Sequence, residues 1–169
     1  MTEFNRGYVL GNIYRYFPIS LLFISVLNEI DFNHLGLKYF SFNFSYILIF
    51  YYSLKKSESF GYGLIFVAGL INDVVVGMPM GISSLVYLLL CGAAAYLRNI
   101  TLRPSLMKDW IYFLMTILTI NSLTFLILTF IFSFEINFLD QIINIIFTFL
   151  FYLIFSYLFN IFALMSGRS

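Results

Sequence analysis

Charge is scarce in this sequence: only 10% of its 169 residues are Asp, Glu, Lys or Arg, while 62% are hydrophobic and 21% aromatic. No globular domain can hide that much apolar surface inside itself, so lipid has to cover the remainder. A formal net charge of +1 gives no footprint for nucleic acid. Histidine occurs once, as His34 in a polar link, which leaves no second ligand or base for a His-based triad, a metal pair or an intramembrane proton relay. Cysteine also occurs once. Cys91 lies inside an apolar run, cannot form an intrachain disulfide, and reads as a small packing residue. No P-loop is present, and Gly81-Ile82-Ser83-Ser84 does not match the G-x-S-x-G nucleophile elbow. These absences leave no catalytic, metal or cofactor site to nominate, and an enzyme is not the expected class.

What the sequence has in abundance is long apolar runs. A hydrocarbon core about 30 Å thick takes roughly 20 residues of helix to cross, so the chain supplies about six short spans and no soluble domain. The pattern predicts an all-α integral membrane bundle with helices near 16–28, 41–54, 60–76, 82–98, 110–132 and 141–164. A closed barrel is excluded because the runs do not alternate. Between the third and fourth runs, Gly77-Met78-Pro79-Met80-Gly81 breaks a helix twice over and predicts a tight hairpin. Lys108 and Asp109 read as part of a longer polar loop with Arg103 and Pro104. The aromatic excess reads as lipid-facing Phe and interfacial Tyr, Tyr51-Tyr52 being one example at a helix end. Arg6 and Arg15 precede the first run, but Asn28-Glu29-Ile30-Asp31 after it offers no small-residue cleavage site, so that run is expected to be a retained helix.

Six spans segregate the basic residues. Arg6, Arg15, Lys55, Lys56, Arg98, Arg103, Lys108 and Arg168 fall on one side, and only Lys38 on the other. By the positive-inside rule the first side, with both termini, is cytoplasmic. Glu29, Asp31, Glu135 and Asp140 then lie outside.

Within the spans, Asp73 is the most informative residue. A helix starting near Tyr62 puts it about 16 to 17 Å along the axis, somewhat past the midplane. An aspartate there costs on the order of 2.5 to 3.5 kcal/mol on insertion scales, so it should face protein or water. A proton or ligand site and a structural hydrogen bond to a neighbouring helix or the hairpin backbone are both open, and the lack of a second intramembrane acid or base favours the structural one. Gly69, Asp73 and Gly77 recur every four residues and share about 80° of helix circumference, a face suited to close helix contact. Gly77 and Gly81 match G-x-x-x-G in letters, but Pro79 argues against a dimerising helix there. Two polar stripes follow. Thr119, Ser122, Thr129 and Ser133 share one face of the fifth run, and Asn144, Thr148, Tyr152, Ser156 and Asn160 step by four along the sixth. Such rows glue helices together or, less often, line a cavity. Gly92-Ala93-Ala94-Ala95 is a further small-residue patch suited to close packing.

The stretch 60–97, FGYGLIFVAGLINDVVVGMPMGISSLVYLLLCGAAAYL, resembles the central helical hairpin of the MreD family of bacterial rod shape-determining membrane proteins. Gly69, Asp73, Gly77 and Gly81, with Leu70 and the apolar helix that follows, carry the resemblance. It implies a non-enzymatic scaffold in the inner membrane, working with an MreC-like membrane protein and indirectly with MreB, RodA and a class B penicillin-binding protein in lateral wall synthesis. The family's six-helix layout is also similar to the substrate-binding S components of energy-coupling-factor vitamin transporters, a likeness of fold that carries no function. That alternative, a transporter subunit, is disfavoured because S components carry an A-x-x-x-A motif in the first helix, whereas 17–27 contains no alanine.

Overall fold

The computed structural model describes residues 17–27, 41–55, 61–101, 105–134 and 137–166. Expectations that rest on Arg6, Arg15, Asn28, Glu29, Asp31, His34, Lys38, Lys56, Arg103, Pro104, Glu135 and Arg168 lie outside the described residues. Among the described residues the chain is all helical. Its elements are α1 (Phe17–Leu27), α2 (Phe44–Lys55), α3 (Tyr62–Val76), α4 (Ile82–Ile100), α5 (Leu106–Phe130) and α6 (Phe138–Ser166). Three of them, α4, α5 and α6 as far as Ala163, are long and apolar enough to cross a membrane. At 1.5 Å per residue, α1 to α3 rise only about 16 to 22 Å, short of a hydrocarbon core about 30 Å thick.

Local chemistry sets the helix ends. α5 begins four residues before the expected start because the Ser105 hydroxyl accepts a hydrogen bond from the Lys108 amide at 3.3 Å, an N-cap that satisfies an otherwise orphaned donor. Lys108 and Asp109 therefore lie in the first turn of α5, not in a loop. Asn137 does the same for α6, its side-chain oxygen accepting from the Leu139 amide at 3.2 Å, and α6 opens at Phe138. α4 continues past Arg98 to Ile100. Gly77 and Gly81, at φ 74° and 99°, take the left-handed conformations that end α3 and begin α4, which cost a glycine little and other residues more.

The core is built around α2. Residues 45–54 of this helix are buried apart from the half-buried Tyr46, consistent with a short helix that is apolar on every side. Ser25 of α1 and Ser45 of α2 share a hydrogen bond at 2.8 Å, the Ser53 hydroxyl reaches Cys91 Sγ of α4 at 3.2 Å, and Phe50 packs on Phe113 of α5 and Tyr152 of α6 with ring centroids 5.1 and 5.9 Å apart. Tyr51 and Tyr52, expected at an interface, are only 3% and 7% exposed. They lie against Phe159 at 5.2 and 5.5 Å, because α6 covers the α2 end that the sequence alone leaves open. At this same end the Lys55 ammonium meets the Asp109 carboxylate at 3.1 Å and Arg98 donates to the Ser53 carbonyl at 3.3 Å. The ends of α2 and α4 and the start of α5 thus share a basic end, and the α3–α4 hairpin occupies the opposite one. Outward faces carry large apolar side chains such as Met115, Phe130 and Ile154, a surface that water would disfavour.

Candidate functional site

Asp73 is fully buried, at the last turn of α3. Its carboxylate accepts from two backbone amides of the returning chain, Gly81 N–H at 2.7 Å and Ser83 N–H at 2.8 Å. Those amides open α4, so an anion from one helix caps the positive end of the next. The main-chain carbonyl of Asp73 accepts from Gly77 and Met78, closing α3 in a Schellman-type ending. One residue thereby ends a helix with its backbone and starts another with its side chain. Both carboxylate oxygens are engaged by fixed N–H donors, an arrangement that holds a turn together.

Gly69 lies one turn deeper on the same face. A Cβ there would collide with the backbone of Ser84, so hydrogen is the only side chain that lets α3 and α4 approach this closely. Ser84 in turn donates to the Phe66 carbonyl at 2.9 Å, and the Asn72 side chain donates to Ser83 Oγ at 2.9 Å. Sequence reasoning singled out Gly69, Asp73, Gly77, Pro79 and Gly81 but gave Ser83 and Ser84 no part in the hairpin. Two adjacent serines in the first turn of an apolar helix, facing Asn72 and Asp73 across a turn, are the signal that was there to be used.

The two polar rows have different surroundings. On α6, Thr148, Tyr152 and Ser156 are each about 1% exposed. Thr148 Oγ1 accepts from the Asn43 amide at 2.9 Å, Asn144 Oδ1 accepts from the Asn43 side chain at 2.9 Å, and the Asn144 amide donates to Ser41 Oγ at 2.6 Å. Tyr152 stacks on Phe113 at 4.3 Å. The row joins α6 to the start of α2 and to α5; its last member, Asn160, is exposed. On α5 the row Thr119, Ser122, Thr129 and Ser133 is exposed throughout, and Ser133 falls beyond the helix, at φ 50°. The face that α5 turns inward instead carries Asp109, Phe113, Thr116, Ile117, Ile120 and Leu128. Among the described residues, then, the α5 row does not tie this helix to a neighbour. Thr119 bonds its hydroxyl back to the Met115 and Thr116 carbonyls, both at 2.9 Å, which satisfies it without a neighbour.

Beside that row lies a groove of about 580 Å³ lined by residues of α4 and α5, among them Leu88, Gly92, Ala93, Tyr96, Tyr112 and Thr119. Of the small-residue patch 92–95, Ala94 is fully buried in the core, whereas Gly92 is exposed and a Cβ on it would meet nothing within 4 Å. Asp109, placed by the sequence pattern in a loop, is 4% exposed and held against Lys55. Among the described residues no group of three or more His, Cys, Asp and Glu side chains converges to hold a metal ion.

A family model for the rod shape-determining protein MreD matches residues 12–162, which includes the hairpin, both polar rows and the groove. The chain belongs to the MreD family. It is thus a membrane protein with a role in rod-shape determination. Among curated proteins and among solved structures nothing matches it. As an MreD protein it offers two kinds of surface. The Asp73 hairpin is closed on itself, and the outer face of α4 and α5 carries apolar and small polar groups that are exposed among the described residues.

Proposed function

We propose that this MreD protein is a non-enzymatic scaffold of the bacterial cell-wall elongation complex, which supports lateral peptidoglycan synthesis by holding an MreC-like partner in the inner membrane. The observation that carries the reading is the family match over residues 12–162. The chain would cross the membrane about six times with both termini cytoplasmic, an orientation supported by Lys55, Arg98 and Lys108 at one end of the bundle. MreB, RodA and a class B penicillin-binding protein would be indirect partners, reached through the MreC-like protein.

The groove between α4 and α5 is the surface we assign to the partner's membrane helix. Helices associate in lipid where small residues let backbones approach and where hydroxyls bond across, and Gly92, Ala93 and the exposed Thr119 supply both. Affinity purification of the tagged chain from its native membrane in mild detergent, with mass spectrometry of what co-purifies, tests the function. Recovery of an MreC-like single-span protein with the elongation synthases is the expected result. Recovery of paired ATPases with a coupling membrane subunit, or a tightly bound vitamin, would overturn it in favour of a transporter subunit. Gly92→Leu fills the groove without touching the core, so it should abolish capture at an unchanged protein level.

A further inference from the structure

The α3–α4 hairpin differs from every other connection in the chain. The other connections, together with the helix ends beside them, carry charged side chains: Glu29, Asp31 and Lys38; Lys55, Lys56 and Glu58; Arg98, Arg103 and Lys108; Glu135 and Asp140. Residues 74–82, Val-Val-Val-Gly-Met-Pro-Met-Gly-Ile, hold no polar side chain at all. Yet the segment is not buried by the protein, since Val74 is 66% and Met80 68% exposed. A turn in water has no need of such a composition and gains nothing from it.

Irregular backbone at membrane depth is tolerated only when its polar groups are satisfied from within the protein. Here they are. Gly77 and Met78 donate to the Asp73 carbonyl, Pro79 has no amide hydrogen to place, Gly81 and Ser83 donate to the Asp73 carboxylate, and Ile82 donates to the Pro79 carbonyl at 3.3 Å. α4 has 19 residues, which at 1.5 Å each carry the turn about 28 Å from its Ile100 end. That distance reaches the far margin of a hydrocarbon layer about 30 Å thick without leaving it.

We infer that the hairpin tip is a lipid-binding element: Met78, Pro79 and Met80 are seated among acyl chains at the far margin of the bilayer, and Asp73 makes this possible by taking up the amides of the turn. The tip anchors α3, which is too short to span by itself, at a fixed depth. Its partner is the lipid, and neither a protein nor the aqueous phase covers it.

The test is a nitroxide label at Met80→Cys in a Cys91→Ala background, with the full chain reconstituted alone into phosphatidylcholine vesicles. Collisional relaxation is measured with oxygen, which concentrates in the acyl chains, and with a water-soluble nickel chelate. Leu150→Cys, on the exposed apolar face of α6, and Lys108→Cys, at the basic end of α5, are the lipid and water references. The label at position 80 should relax with oxygen as it does at position 150 and lose the nickel response seen at position 108. A nickel response equal to that at position 108 would put the tip in water and overturn the inference. Protection from both reagents would mean that a second copy of the chain covers the tip, and would equally overturn it.

Discussion

Two rows of polar residues, each along one face of its helix, α5 and α6, have opposite surroundings. On α6, Asn144, Thr148, Tyr152 and Ser156 turn inward, and the first two bond to Ser41 and Asn43 at the start of α2. On α5, Thr119, Ser122 and Thr129 turn outward, and Thr119 bonds to carbonyls of its own helix. In a membrane environment both solutions work, because a hydroxyl can either reach a neighbour or fold back on the preceding turn. Periodicity identifies a face, and the neighbours decide what the face is for. Asp73, Asn144 and Thr148 bond within this chain, whereas Thr119, Ser122 and Thr129 are left exposed on the surface we assign to a partner.

Substitutions sharpen this contrast, beginning with the largest expected effect. Asp73→Leu strands the Gly81 and Ser83 amides, and at about 1 to 3 kcal/mol for each unsatisfied buried donor the loss should reach several kcal/mol. The expected outcome is a low membrane level and a clearly reduced thermal midpoint in detergent; a normal midpoint would mean that the cap does not hold the hairpin. Asp73→Asn keeps one acceptor oxygen and should fall between Leu and the parent, while parental stability would show the charge to be dispensable. Next comes the pair Asn144→Leu with Thr148→Val. Interhelical polar contacts in membranes average about 0.6 kcal/mol and reach about 1.7, so this pair should lower the midpoint modestly, in line with about 1 to 3 kcal/mol. Smallest of all is Thr119→Val with Ser122→Ala on the outward row. Its stability should stay within about 0.5 kcal/mol of the parent, while the yield of co-purified partner falls. A matching loss of stability on both rows would break the comparison.

Much of the fold was legible because lipid leaves few choices. The all-helical class and the six helices among the described residues follow from apolar runs that must satisfy their own backbone. The hairpin follows from two glycines and a proline in an otherwise helical pattern, and Asp73 stood out by the cost of leaving it in lipid. Gly69 was readable as a contact residue from its four-residue spacing to Asp73. Less was legible at the helix ends and in the choice of faces. Asp109 read as a loop residue because its value depends on Lys55, more than fifty positions away, and on a cap at Ser105 that lengthens α5. Tyr51 and Tyr52 read as interfacial because nothing local announces that Phe159 of α6 covers them.

The division has a physical reason. Local composition settles the solvent, the backbone solution and the positions where that solution must break, since each follows from a free-energy cost that lipid imposes residue by residue. Tertiary structure alone decided which of two similar polar rows is internal, that α2 is the buried centre, that Gly69 meets Ser84, and that a groove over Gly92 is left unfilled. Those outcomes depend on how α1 to α6 stack, and in a chain that is apolar on nearly every face, hydrophobicity does not distinguish an inside from an outside; only packing and the few available hydrogen bonds do.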